Sequence, residues 1–346
     1  MDSSNISFNK HDIARLRELV DSAERVAITV HMSPDGDAIG SSMGLARVLM
    51  AMGKEVSVIT PDVPSVTLRF LYKQVGITVF CEQRKFAKQL LDSADLIFCL
   101  DYNALKRIDE LGPLVAEATA PKVLIDHHTD PEDFCDITIS KPELSSTCLL
   151  LFKVICALEL LDAVDDKAAS SLLAGMMTDT GNFCFNNAAD PEIYRVTAYL
   201  MEKGARRLEL VKRLFETFTA DCLRLNAYAI GKKMELWEDK GAALITLTRA
   251  EVNRFGYKPG YTEGLVNKPL TIESIKYVVY LREESKYIKV SMRSKGNFPC
   301  NTICAERFNG GGHLNAAGGE FHGTMEEAVA IFKSMIDENY EKYLKK

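Results

Sequence analysis

Residues 31–40, His31 to Gly40, read HMSPDGDAIG and directly follow the apolar run RVAITV at 25–30. A short run of this kind, rich in valine and isoleucine, predicts a buried strand. What ends it is a histidine and two aspartates set around Pro34 and Gly36. Such a segment is either an acidic turn or a loop that holds a ligand, and the remainder of the chain has to decide between them.

Three further apolar runs, EVSVIT (55–60), ADLIFCL (94–100) and KVLID (122–126), alternate with helical patterns that start near Ala38 and cover about 104–118. This rhythm predicts an α/β fold with a mostly parallel sheet flanked by helices. Ligands of such sheets sit beyond the carboxyl ends of the strands, which is where HMSPDGDAIG stands. Helices are expected over about 145–160, 165–178 and 191–204, the last opened by Pro191 and closed by Gly204. Residues 206–239 are charged and helical in period, without glycine until Gly231, and are expected to form a helical connector. The texture then changes to short strands in GAALITLT, IKYVVYLRE and KYIKVSMRS, predicting a smaller α+β domain. The expected domains are therefore 1–205, 206–239 and 240–346.

The 346 residues suffice for about two domains. The net charge of −6 leaves no basic surface to neutralise the phosphates of a long nucleic acid, so a phosphate-bearing partner would be short. The opening MDSSNISFNK lacks a basic segment followed by an apolar one, and the most apolar helical stretch carries Lys153 at its middle. A cytoplasmic protein with no membrane partner is expected. Nine scattered cysteines, among them CNTIC at 300–304, lack zinc or redox spacing and are expected to be reduced thiols.

Four polar clusters end apolar elements of the first domain: His31 with Asp35 and Asp37; Asp101 in FCLDYN; Asp126, His127 and His128 in VLIDHHTD; and Asp179 in GMMTDTGNF. Singly, Asp101 or Asp179 would more often cap a helix or make a turn, and His127 could be a satisfied core histidine. Together they bring three histidines and five aspartates to one sheet edge. Carboxylates crowded in this way repel one another unless cations neutralise them. A mixed imidazole and carboxylate set suits Mn, Fe, Co or Zn, and the number of donors suits two ions about 3.5–4 Å apart sharing one carboxylate, as in phosphoryl-transfer centres.

HMSPDGDAIGS, LDYN, IDHHTD and MMTDTGNF, in this order, resemble the motifs of the DHH phosphoesterase superfamily. VSMRS (290–294) and RFNGGGHLNAAGG (307–319) are similar to its DHHA1 substrate domain. The motifs span nearly the whole chain and are similar to the stand-alone nanoRNase and pAp phosphatase branch. The resemblance implies hydrolysis of very short oligoribonucleotides, or of 3′-phosphoadenosine 5′-phosphate (pAp) to AMP. Cleavage of a linear or cyclic dinucleotide, or nucleotide binding without turnover, stands as the alternative. It further implies two divalent ions, with Mn²⁺ preferred: one held by His31, Asp35 and Asp101, the other by Asp37, Asp101, His127 and Asp179. His128 would face the phosphate as donor or general acid, and Asp126 would orient the histidine pair. Ser145, Ser146 and Thr147 are expected to cap a helix. Arg293, with Ser294 beside it, would clamp a terminal phosphate, and Gly310, Gly311, Gly312 and His313 would form an anion-binding glycine loop. A homodimer stays open.

Overall fold

Valine and isoleucine at 25–30 form the strand they predict, β1 (Arg25–Val30), after the amphipathic helix α1 (Lys10–Ser22). The computed structural model describes residues 8–73, 75–185, 188–258 and 260–345, so most of MDSSNISFNK lies outside the described residues. The chain divides into two units, 1–217 and 218–346.

In the first unit β1 is followed by α2 (Gly36–Ala51), β2 (Glu55–Thr60), α3 (Arg69–Tyr72), β3 (Thr78–Val79), α4 (Arg84–Ser93) and β4 (Leu96–Leu100). Then come a 3₁₀ stretch at Leu105–Leu111, α5 (Gly112–Glu117), β5 (Lys122–Asp126) and β6 (Ile137–Ser140). The helices α6 (Thr147–Ala157), α7 (Asp166–Asp179), α8 (Pro191–Glu202) and α9 (Arg207–Phe215) close the unit. The stretch expected as one helix over 104–118 is broken, because Asp109 adopts a positive φ of 48°.

All six strands pair in parallel, in the order β3-β2-β1-β4-β5-β6. The chain direction across the sheet reverses between β1 and β4, and their carboxyl ends flank the crevice where α/β sheets bind ligands. Val26, Ile28 and Val30 join α1, α2, α6 and α7 in one buried cluster, while Ala27 joins α4 and α5 in a second on the opposite face. Burial on both faces explains the unbroken apolar runs.

Glycine decides how closely α2 and α7 pack. Gly36, Gly40 and Gly44 share one face of α2. A methyl group on Gly40 would lie 2.6 Å from the Ser171 carbonyl oxygen, and one on Gly36 would collide with Thr178. Gly36 is the first residue of α2 and lets α7 approach. The two helices run antiparallel, so the start of α2 meets the end of α7.

The second unit contains α10 (Ala220–Tyr228), β7 (Met234–Trp237), β8 (Ala242–Leu247), α11 (Arg249–Arg254), β9 (Tyr277–Glu283), β10 (Ile288–Ser294), α12 (Cys300–Arg307), β11 (Gly310–His313), β12 (Ala316–Phe321), α13 (Met325–Ser334) and α14 (Ile336–Asn339). Its mixed sheet has the order β11-β12-β10-β9-β8-β7. One face packs on α12 and α13, and the β8–β9 part of the other face packs on α10. The expected connector 206–239 is not a single element. The boundary falls inside it, where Thr219 caps α10 by accepting from the Cys222 N–H, and its last residues pair with β8 as an edge strand. All nine cysteines are free thiols. Among the described residues, no helix is long and apolar enough to cross a membrane.

Candidate metal centre

The four polar clusters of the first unit converge at the carboxyl edge of its sheet. His31 leaves β1, Asp101 leaves β4, Asp126 ends β5 and is followed by His127 and His128, and Asp179 is the last residue of α7. Asp37, Asp101, Asp126, His31 and His127 are all buried. Asp35 is half exposed and caps α2, its Oδ1 accepting from the N–H groups of Asp37 (2.9 Å) and Ala38 (3.1 Å). The acidic-turn reading of HMSPDGDAIG thus describes part of what Asp35 does.

Asp101 stands at the centre. The Nε2 of His31 lies 3.4 Å from its Oδ2, and the Nε2 of His127 lies 3.8 Å from its Oδ1. His31 is also 3.8 Å from Asp35 Oδ1, while His127 is 3.2 Å from Asp179 Oδ2 and 3.9 Å from Asp37 Oδ2. Donor atoms of His31, Asp35 and Asp101 lie within 4.8 Å of one another, as do those of Asp37, His127 and Asp179. Asp101 holds a φ of +63°, a conformation unusual for a residue with a side chain and common at functional sites. Tyr102 fixes the turn: its hydroxyl is 2.7 Å from Thr29 Oγ1 and its ring stacks on Phe134.

The histidine tautomers follow from their backbone partners. His31 Nδ1 lies 2.9 Å from the Met32 carbonyl oxygen, and His127 Nδ1 lies 3.2 Å from that of Leu144. A carbonyl only accepts, so Nδ1 carries the proton and Nε2 turns a lone pair toward the carboxylates. Without cations only extra protons relieve that arrangement. Burial opposes the charge on His31, but hydrogen bonding to Asp101 and Asp35 pushes its pKa up to about 10. His127 rises likewise against burial, through Asp179. Burial, then repulsion from Asp101 and Asp179, raises Asp37, and burial lifts Asp179 to about 6 despite His127. Divalent cations would replace those protons, and a histidine with its Nδ1–H held by a carbonyl is oriented to ligate through Nε2. The donor set fits divalent metal.

Residues read only as caps supply further support. Ser146 does cap α6, accepting from the Leu149 N–H at 3.1 Å. The N–H groups of Thr147 and Cys148 donate to the two oxygens of Asp37, at 2.6 and 2.9 Å, and the Thr147 hydroxyl donates to Asp101 Oδ1 at 2.9 Å. A helix N-terminus thereby aims its dipole at a buried carboxylate. His128 Nδ1 lies 2.7 Å from Asp126 Oδ1, and the His128 N–H donates to Asp126 Oδ2 at 3.1 Å. Burial holds the His128 pKa down, to about 3.

In the second unit Arg293, Ala316 and His313 lie opposite one another across β10, β12 and β11. Arg293 Nη1 donates to the carbonyls of Met292 (2.9 Å) and Ala317 (3.4 Å). Ser294 is placed elsewhere: its hydroxyl donates to Phe298 O and accepts from Asn315 Nδ2, both at 2.8 Å, closing the loop before α12. The expected glycine loop is a strand. Gly310–Gly312 pair with Ala317–Gly319 at the sheet edge, because a side chain on Gly310 or Gly312 would strike the carbonyl of the paired strand. Regular pairing does not make the converging N–H groups of an anion nest.

Two family models match the chain: the N-terminal domain of the DHH family over residues 25–176 and the DHHA1 domain over 243–342. The chain is 31% identical to the bifunctional oligoribonuclease and PAP phosphatase NrnA of Thermus thermophilus, with 86% of this chain and 84% of that protein covered. The protein of the same name from Bacillus subtilis is 27% identical, with 88% and 91% covered. A solved structure, that of an exopolyphosphatase-related protein from Bacteroides fragilis, is 42% identical and superposes with a TM-score of 0.92 over 96% of this chain and 97% of its own. With relatives spanning both of its matched domains, the chain belongs to the DHH–DHHA1 phosphoesterase family.

Proposed function

We propose that this protein is a metal-dependent hydrolase of very short oligoribonucleotides and of pAp. The observation that carries this reading is Asp101, whose two carboxylate oxygens each face a different buried imidazole. One cation would be held by His31, Asp35 and Asp101, and a second by Asp37, Asp101, His127 and Asp179. When bound, two divalent ions, with Mn²⁺ our assignment, supply positive charge beside a phosphoester and acidify water near neutral pH.

The remaining roles belong to the chain. Asp126 fixes the ring of His128 through Nδ1, which leaves Nε2 as the nitrogen to meet a substrate. His128 would face the substrate phosphate there as hydrogen-bond donor or general acid, with Asp126 stabilising the charge it carries in that role. Thr147 and the start of α6 keep Asp37 and Asp101 in place. In the second unit Arg293 would take a phosphate oxygen with His313 on the same row. The names carried by the Thermus and Bacillus relatives support this substrate class, as does an acidic chain that gains little from a long strand.

The test is to incubate the purified protein with Mn²⁺ and, separately, pAp, the linear dinucleotide pApA, a cyclic dinucleotide and polyphosphate, and to follow the products. AMP and phosphate from pAp, with mononucleotides from pApA, are expected. Faster release from polyphosphate or the cyclic dinucleotide would replace the substrate assignment. Bound metal with no turnover of any of the four would make the protein a nucleotide-binding regulator.

A further inference from the structure

The open part of the second sheet extends beyond the Arg293–His313 row. Antiparallel partners share a face, and so do residues two apart on one strand. Arg293, Ser291 and Lys289 of β10 therefore stand on one face with Ala316, Gly318 and Glu320 of β12. On β9 this face is buried with Val278 and Tyr280, which confines the open ground to the three strands at the edge. Its middle row is Ser291, Gly318 and Gly311, and with one short side chain and two glycines that have none, the row lies low, as a shallow trough between the two ends.

Arg293 and His313 mark one end of the trough, and Lys289 marks the other. Tyr287 continues the ladder beyond β10, its carbonyl accepting from the Glu284 N–H at 2.9 Å, so it shares the face of Lys289. Its ring packs edge-on against His322, with centroids 6.2 Å apart. Lys289 is exposed, with Glu320 facing it across β12 and bonded by the Tyr287 hydroxyl, so a phosphate would meet the amine from its solvent side. Arg282, opposite it on β9, is already taken up by Glu284. From Arg293 to Lys289 is four strand residues, or about 14 Å. A stacked single strand advances about 3.4 Å per phosphate, so the trough spans at most about four nucleotides.

We propose that Tyr287 and Lys289 form a distal nucleotide subsite, the ring stacking on a base and the amine meeting the adjoining phosphate of a strand whose near end lies at Arg293 and His313. An aromatic surface beside a cation is the usual means of holding single-stranded nucleic acid without reading its sequence. This inference rests on the reading of the protein as an enzyme of short oligonucleotides. It makes the far end of the trough a determinant of length preference, because pAp is too short to reach it.

The test compares Lys289→Glu and Tyr287→Ala with the unaltered protein, using kcat/KM for pAp and for a 5′-phosphorylated tetranucleotide in Mn²⁺. Each variant is expected to lose about tenfold more on the tetranucleotide than on pAp. Lys289→Glu is also expected to reduce the salt dependence of tetranucleotide binding, measured by fluorescence anisotropy, by about one ion. Equal losses on both substrates, or no loss on the tetranucleotide, would overturn the subsite. Anisotropy separates its failure from that of the enzymatic reading. If the unaltered protein hydrolyses neither substrate yet binds the tetranucleotide more weakly as Lys289→Glu, the subsite stands and the enzyme reading falls.

Discussion

In the first unit the polar residues stand beyond the carboxyl ends of parallel strands, whereas in the second they stand on the face of a β ladder. The difference governs how each set is held. Asp101 and His31 project from the ends of β4 and β1, where each strand gives way to a turn, and their positions depend on α2, α6 and α7 packing around those ends. Arg293 and His313 are set by register alone, one pairing step on either side of Ala316. Charges crowd in the first unit and raise the pKa values of Asp37 and Asp179. In the second, the partly buried Glu251 is pulled the other way, down to about 2.

The sharpest way to break this contrast is at Asp101. Asp101→Ala removes the carboxylate shared by both histidine sets, and hydrolysis of pAp in Mn²⁺ is expected to fall on the order of 10³-fold. The same variant is expected to lose the Mn²⁺-induced rise in Tm. A metal-induced rise that survives would show that Asp101 does not join the two sets.

Thr147→Val is the next step down. It deletes the hydroxyl that donates to Asp101 and leaves the backbone N–H that donates to Asp37. Outer partners of metal ligands commonly contribute 10–100-fold, so Mn²⁺ affinity measured by titration calorimetry is expected to weaken about tenfold or more. Unchanged affinity would reduce Thr147 to its place at the start of α6.

Thr147 also marks the limit of what could be read from the chain. The convergence of His31, Asp35, Asp37, Asp101, His127 and Asp179 was legible only as a set, because each of them alone reads as a turn, a cap or a core histidine. The donors that hold them were not. Backbone N–H groups of Thr147 and Cys148 leave no trace in residue type, and the start of α6 reads as a capped helix whether or not a carboxylate lies before it. The parallel sheet was legible from its apolar runs, but nothing in residue type shows why α2 carries Gly36, Gly40 and Gly44, because their reason lies on α7. The second unit was the harder one. GGGH reads as a loop after a helix, and only its pairing with Ala316–Gly319 shows it to be a strand. Register likewise gives no local signal at Lys289, which looks like any solvated lysine.

Acid should separate the two units. Burial opposes the charge of Glu251, but the Thr248 N–H, Lys233 and the Tyr228 hydroxyl outweigh it. A pKa depressed from 4.5 to about 2 means stability that is fully present above pH 4.5 and lost as pH falls toward 2. Glu251→Gln is therefore expected to cost about 1 kcal/mol at neutral pH and to flatten the loss between those limits. Urea unfolding followed by the fluorescence of Trp237, the only tryptophan of the chain and part of β7, reports on this unit. An unchanged slope between pH 4.5 and 2 would remove Glu251 from the acid response.

The smallest effect tests the strand itself. A methyl group on Gly311 meets nothing within 4 Å, and no positive φ demands glycine there, whereas one on Gly310 would collide with the Gly318 carbonyl across the ladder. Gly311→Ala is expected to leave Trp237-monitored stability within about 0.5 kcal/mol, and Gly310→Ala to cost about 2 kcal/mol by forcing β11 away from β12. An anion-binding nest predicts the reverse weighting for function, because its N–H groups converge only if the whole glycine run can adopt left-handed backbone. Gly311→Ala with unchanged stability and unchanged KM for pAp leaves Arg293 and His313 as the phosphate-facing groups of this edge. A tenfold rise in KM at unchanged stability would return the ligand to the glycine backbone.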